Sequence, residues 1–431
     1  MGIIAIIAYL LLFIISFILY RKLSNPIVFY NLIWLIWITV STTGFLGFYT
    51  PGGHIYKMFI IGGFVFNLVG HFMMLLEKVF SSKSKESKTK PTPYYEYRKM
   101  IFTFLQVVMF VYYMSKAVEL LIFLRSGMGY DEVRGFYYSE ENFSSSFEYR
   151  IVMFLFDPVV MVSEIIFAIN IFDKQYNKFT TILMFCNIFL RSIISGGRMI
   201  IFELSVFIVV NFVYQYRNYI KYKKGKLKVG IVVSIATLVA SYITSGRVAE
   251  KNTLAMGAVK TLVSNFTGPF TYLDSLIRQS SYTTPKFGNV MFAGVTDTFR
   301  MLTNGLNLTD FELLRTNIGL VLSEYIFIGS KYFNAMPSMY YFFICDFGRN
   351  WYFIGNVIFA IIAVIAYAYS KKAKSCKSLA IYLLIMLVIA ESSMTFLFFN
   401  TSFVMAVFYA LFFLSNEKLP KIKQNSGGIK K

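Results

Sequence analysis

The sequence predicts an all-α, polytopic membrane protein, and three observations carry that expectation. First, 57% of the 431 residues are hydrophobic and only 15% are charged, against about 25% charged in a typical soluble domain. Second, apolar runs long enough to cross a bilayer recur along the whole chain, a hydrocarbon core of about 30 Å needing roughly 20 helical residues. Third, lysine and arginine are gathered in short blocks between those runs, the pattern that orients a membrane protein. Together these exclude an ordinary cytosolic enzyme, a secreted domain and a disordered chain. The net charge of +20 does not indicate nucleic acid binding, because the charge is not collected on one folded basic face. Cys186, Cys345 and Cys376 are far apart and form no CxxC, so neither a disulfide framework nor a zinc site is expected.

Eleven spans are expected within one membrane domain, 1–431, at about 2–20, 27–48, 58–77, 100–122, 151–172, 179–195, 199–216, 229–245, 350–370, 378–395 and 397–415. The first has no basic start and no small-residue cleavage site, and its basic pair, Arg21-Lys22, follows the apolar run. It reads as an anchoring helix and not as a signal peptide. When eleven spans alternate, the blocks at 21–22, 81–90, 173–178, 221–228 and 371–377 and the basic tail at 416–431 share one side. That side is the cytoplasm, which puts the N-terminus outside and the C-terminus inside. Two long segments then lie outside, 123–150 and 246–349. Within the larger, the apolar stretch 316–330 carries Glu324 and reads as an interfacial or re-entrant element. A full span there would invert everything after it and place the lysines of 371–377 outside.

Arginine and lysine separate by side. Most lysines fall in the cytoplasmic blocks, whereas ten of the 13 arginines lie outside or at outer helix ends: 125, 134, 150, 191, 198, 247, 278, 300, 315 and 349. Basic residues are normally depleted there. Arginine offers a planar fork that holds phosphate or carboxylate bidentately, so an anionic ligand at the outer leaflet is expected, a lipid-linked pyrophosphate above all. The competing reading is pairing with outer acids such as Asp131, Glu132 and Glu148.

Several motifs stand on that side. RSIISGGRMIIFE (191–203) joins two spans through a short turn in which Gly196-Gly197 allow reversal and Arg198 opens a helix, where free N–H groups favour anions. SGR (245–247) emerges on the same side, followed by FTGPFTYLDSLIRQ (266–279) and NAMPSMYYFFICDFGRNWYFIGNVIF (334–359). In this order the segments resemble the Wzy-type oligosaccharide repeat-unit polymerases of O-antigen and capsule assembly, over roughly residues 120–370.

The resemblance implies polymerisation of undecaprenyl-pyrophosphate-linked repeat units at the outer face of the bacterial cytoplasmic membrane. The growing chain would move from its lipid carrier to the sugar of an incoming unit. It implies no cofactor and no metal; the sequence correspondingly has no DxD, Walker loop or HExxH. Implied partners are lipid-linked oligosaccharides, membrane lipids, and a chain-length regulator and flippase of the same pathway. Such a protein mainly positions two lipids and stabilises departing pyrophosphate, for which each preorganised donor contributes roughly 3–4 kcal/mol in well-studied sites. Arg198, Arg247, Arg300 and Arg349 are the first-choice donors, with Arg278, Arg191 and Arg315 next. Asp346, Asp274 and His54 are the candidate general bases. Asp346 has the alternative of capping a helix.

Charged residues inside spans form a second signal: Lys116 with Glu119, and Asp157, Glu164, Glu203 and Glu391. At the bilayer centre each costs about 2.5–3.5 kcal/mol, so such residues face a cavity or a partner. The run Tyr340-Tyr341-Phe342-Phe343 reads as packing before sugar stacking. Two other functions share the substrate chemistry. A flippase would show twelve or more spans and two similar halves, and no repeat is evident; a glycan ligase would use the same chemistry on another acceptor.

Overall fold

The computed structural model describes residues 1–44, 47–80, 93–127, 146–171, 177–195, 199–215, 254–279, 286–305, 313–330, 332–333 and 336–415. It is a mostly helical chain. Among the described residues, six helices are long and apolar enough to cross a membrane: Gly2–Tyr20, Gly53–Lys78, Arg98–Arg125, Phe147–Asn170, Lys178–Ser195 and Phe353–Ala373. That is the build of a multi-pass membrane protein.

The first four helices are α1 (Gly2–Tyr20), α2 (Pro26–Thr42), α3 (Gly53–Phe80) and α4 (Pro93–Arg125). A tight turn connects the first two. Arg21 adopts the left-handed conformation, its N–H closing on the Phe17 carbonyl. Asn25 then caps α2 through the amides of Ile27 and Val28, with Pro26 pre-set for the first turn. Ile3, Ile7, Leu11 and Ile18 of α1 are exposed, an apolar face suited to lipid. α5 (Ser146–Ile151) runs through a π turn, Val152–Phe156, into α6 (Asp157–Asn170). Pro158 explains the π turn: it cannot donate to a carbonyl in the preceding turn.

α7 (Lys178–Ser195) and α8 (Met199–Gln215) pack on α6. α13 (Phe353–Ala373) lies along α3, and α14 (Cys376–Glu391) is buried on every face, so it forms the centre of the bundle. A 3₁₀ turn, Leu397–Phe399, leads into α15 (Thr401–Phe413). The expected span 229–245 lies outside the described residues; every other expected span coincides with a described apolar helix, though α2 ends at Thr42, short of the expected 48.

The segment expected outside at 246–349 is helical where described. It contains α9 (Leu254–Arg278), α10 (Ala293–Gly305), α11 (Leu314–Ser323) and α12 (Met339–Phe347). Between α11 and α12 two strands of two residues each, β1 (Ile326–Phe327) and β2 (Tyr332–Phe333), pair antiparallel, a small hairpin in an otherwise helical fold. The stretch 316–330 is therefore not one element: its helix stops at Ser323 and a hairpin follows. Ten residues rise only about 15 Å, half a bilayer core. The Tyr340–Phe343 run is buried in α12, consistent with packing.

Candidate functional site

Residues 47–52, between α2 and α3, are held from two sides. The Tyr49 amide donates to the Ile328 carbonyl at 2.8 Å, docking the β1–β2 hairpin. Gly329 makes that docking possible: its φ is +121°, and a Cβ would fall 2.4 Å from the Gly47 carbonyl oxygen. From the other side, the Thr271 hydroxyl of α9 donates to the Tyr49 carbonyl at 2.7 Å.

One helical turn further along α9, Asp274 collects three partners. The Gly52 amide donates to Oδ2 at 2.7 Å. Arg278 makes a two-pronged contact, Nε to Oδ1 at 3.0 Å and Nη2 to Oδ2 at 2.9 Å. His54 Nε2 lies 3.1 Å from Oδ1, an ion-pair distance without hydrogen-bond alignment. Asp274 is 7% exposed, His54 38% and Arg278 65%, so the carboxylate is a buried anchor and the two basic groups face outward from it. A Cβ on Gly52 would sit 2.9 Å from the imidazole and 3.1 Å from the guanidinium, so a larger residue would have to push both basic side chains aside. The hydrogen bonds that Arg278 donates to Asp274 raise its pKa further and keep it charged.

Two of the candidate bases, 220 residues apart in the chain, are thus neighbours. The third stands elsewhere. Asp346, at the end of α12, is fully buried. Its Oδ1 accepts from the Val290 amide at 2.8 Å and its Oδ2 from the Met291 amide at 2.6 Å, while the Phe287 amide donates to its backbone carbonyl. It clamps the turn that opens α10, and neither oxygen faces a site. Burial raises its pKa; the amides of Met291 and Val290 oppose that shift.

The arginines divide. Arg191 is buried and grips Asp157 bidentately, at 2.7 and 2.8 Å. Arg300 lies 3.7 Å from the buried Asp297. Arg349 is exposed just after α12. Arg315 belongs to α11. Arg198 and Arg247 lie outside the described residues. Pairing with acids, the competing reading, therefore accounts for Arg191 and applies to Arg278 with Asp274 and to Arg300 with Asp297 as well.

Within the bundle, Lys116 bridges Glu119 at 3.0 Å and Glu148 at 3.2 Å. Glu164 and Glu391 are buried, and neither Glu164 oxygen nor Glu391 Oε1 has a hydrogen-bond partner.

The sequence motifs flagged His54, Asp274 and Arg278 separately. They did not flag Gly52 as a donor, although Pro51-Gly52-Gly53 before His54 marks a close backbone approach. The chain matches no protein-family model, no curated protein and no solved structure.

Proposed function

We propose that the protein polymerises lipid-linked oligosaccharide repeat units at the outer face of a bacterial cytoplasmic membrane, with its chemistry at the His54–Asp274–Arg278 cluster. The observation that carries this reading is a partly buried histidine 3.1 Å from a buried carboxylate that an exposed arginine also grips. In this reading eleven spans place that cluster outside.

His54 Nδ1 has no hydrogen-bond partner among the described residues, and its Nε2 is turned to Asp274. Nδ1 takes the proton of the acceptor sugar hydroxyl as that oxygen attacks the anomeric carbon of the donor. The carbon–pyrophosphate bond breaks, and lipid pyrophosphate leaves with the bond's electrons. Asp274 stabilises the imidazolium by its charge, and Arg278 and the Gly52 amide hold Asp274 in place. Arg278, Arg349, Arg198 and Arg247 are the pyrophosphate donors. Asp346 is a positioning residue.

The test is polymerisation by purified protein supplied with lipid-linked repeat units. His54→Ala is expected to lower the rate about 10²–10⁴-fold, the usual contribution of a general base. Glycan ladders support polymerisation. Translocation without ladders supports a flippase, and single transfer to another acceptor supports a ligase.

A further inference from the structure

The helices α6, α8 and α14 pack against one another, and each brings one glutamate to their shared interior: Glu164, Glu203 and Glu391. Glu203 acts electrostatically on both of the others, and Glu391 acts on Glu164. Glu164 is 1% exposed and Glu391 3%. Glu203 is only half-buried and stands about 6 Å from the start of α8, the outer end in the eleven-span arrangement.

Two further charged groups face this trio. Asp157 of α6 and Arg191 of α7 act on Glu203, and they are bound to each other bidentately. α2 and α15, which also pack on α14, carry no charged residue. α13 carries Lys371 and Lys372 only in its last turn, at the opposite end of α14 from Glu391. The one guanidinium is therefore committed to Asp157, and ionising all three glutamates would leave their charges uncompensated inside the bundle.

Glu164 shows the same imbalance locally, since neither of its oxygens meets a donor among the described residues. A buried carboxylate without a donor is too costly to persist and takes a proton instead. No three acids, histidines or cysteines among the described residues converge in a way that could hold a metal ion, whereas a proton needs no coordination shell and no cavity.

We propose that Glu164, Glu203 and Glu391 form a proton-binding site inside the bundle, with Glu164 and Glu391 as the buried carriers and Glu203 as the step toward outer water. Uptake takes a proton from hydronium, forms a carboxyl O–H bond and leaves water. Release runs the same transfer backward, so no other reactant enters. Because the three carboxyls interact, occupancy belongs to the group and not to one residue. The polymerase reading uses no proton here, and the two stand or fall separately.

The test follows the protonated-carboxyl stretch of the full chain by infrared spectroscopy, in nanodiscs of ether-linked lipid, which has no carbonyl of its own. The band is expected to be present at neutral pH, to bleach in alkali and to return on neutralisation. Folded Glu164→Gln protein should lose part of it. Glu203→Gln should slow its response to a pH jump about 10²-fold, the lower end for removal of a proton-transfer group. A wild-type band that ignores bulk pH overturns the proposal, and so does an undiminished band in folded Glu164→Gln. Bleaching by sodium chloride at constant pH also overturns it, because the site would then take a metal cation. A response to the pH jump as fast in Glu203→Gln as in wild type removes Glu203 as the entry step. Dicyclohexylcarbodiimide, which attacks protonated carboxyls in apolar surroundings, supplies a readout on the unaltered chain. An adduct at Glu164 that declines about tenfold per pH unit in alkali supports the site; labelling equal at every pH counts against it. Neither readout depends on polymer synthesis.

Discussion

Tyr409 of α15 donates its phenol hydrogen bond to the carbonyl of Phe154 at 3.0 Å. That carbonyl lies four residues before Pro158, which has no N–H to give it. The neighbouring Met153 carbonyl is met by the Ser402 hydroxyl at 3.1 Å, because the Asp157 amide bonds back to Val152 instead. An orphan carbonyl within a bilayer is costly, and two side chains of one helix satisfy both. Tyr409→Phe is expected to cost about 0.6–1.7 kcal/mol, the range measured for interhelical hydrogen bonds in membranes. In a Pro158→Ala background, where a helical amide returns, the loss should shrink. Unfolding midpoints of the four proteins in detergent read the coupling, and equal losses in both backgrounds would contradict this account.

The Arg191–Asp157 pair makes a stronger demand. Both side chains sit in the bundle, joined at 2.7 and 2.8 Å. Arg191→Ala leaves a partly buried carboxylate, 18% exposed, without its partner and should cost up to about 3–5 kcal/mol. The double variant Arg191→Leu, Asp157→Leu should recover much of that loss. Membrane abundance and thermal midpoint measure both, and a single variant as stable as wild type would show the pair to be ornamental.

Asp346 gives a pH prediction. Burial raises its folded carboxyl above the unfolded value, so the folded state binds the proton more tightly. The stability this contributes is full below the ordinary aspartate range and is lost as pH rises through the raised value. Asp346→Asn should abolish that pH dependence. It should also cost about 1–3 kcal/mol, because an amide nitrogen would face one of the two backbone donors. Thermal midpoints of both proteins across acid to neutral pH decide it; parallel curves would remove Asp346 as the source.

Pyrophosphate binding predicts a distinction between charge and shape. Arg198→Lys should fail nearly as badly as Arg198→Ala, since lysine keeps the charge and loses the fork. Lipid-linked repeat units should accumulate while polymer disappears. Lys223→Ala in the basic block at 221–228 should be close to silent. Wild-type polymer from both Arg198→Ala and Arg247→Ala, at matched membrane abundance, would reduce the outer arginine excess to topology without chemistry.

Orientation has its own experiment. Single cysteines at Ser144 and Asn304 should react with an impermeant thiol reagent added outside, and one at Ser84 should not. Reaction at Ser84 alone would invert the arrangement and place the His54 cluster in the cytoplasm.

The membrane class was settled by composition. Charge-free runs such as Gly2–Tyr20 and Phe353–Tyr369 have few alternatives to apolar helices, because backbone groups in lipid must bond within their own segment. Shorter pieces were less legible. The stretch 316–330 is largely apolar on both sides of Ser323-Glu324, and local hydropathy does not distinguish a membrane element from a helix that breaks at Ser323 into a hairpin. That break depends on Gly329 meeting the 47–49 backbone, a contact across the fold. The candidate site divides in the same way. Sequence alone supplied the residue types: a histidine in a glycine-rich loop, an aspartate and arginine four apart on a helix, and arginines set apart from the lysine blocks. Only the tertiary structure brought His54 to Asp274, buried Asp346 against the Val290 and Met291 amides, and committed Arg191 to Asp157. Periodicity reports which face of a helix is apolar. Which charged group meets which depends on how separate helices pack, and no spacing along the chain encodes that distance.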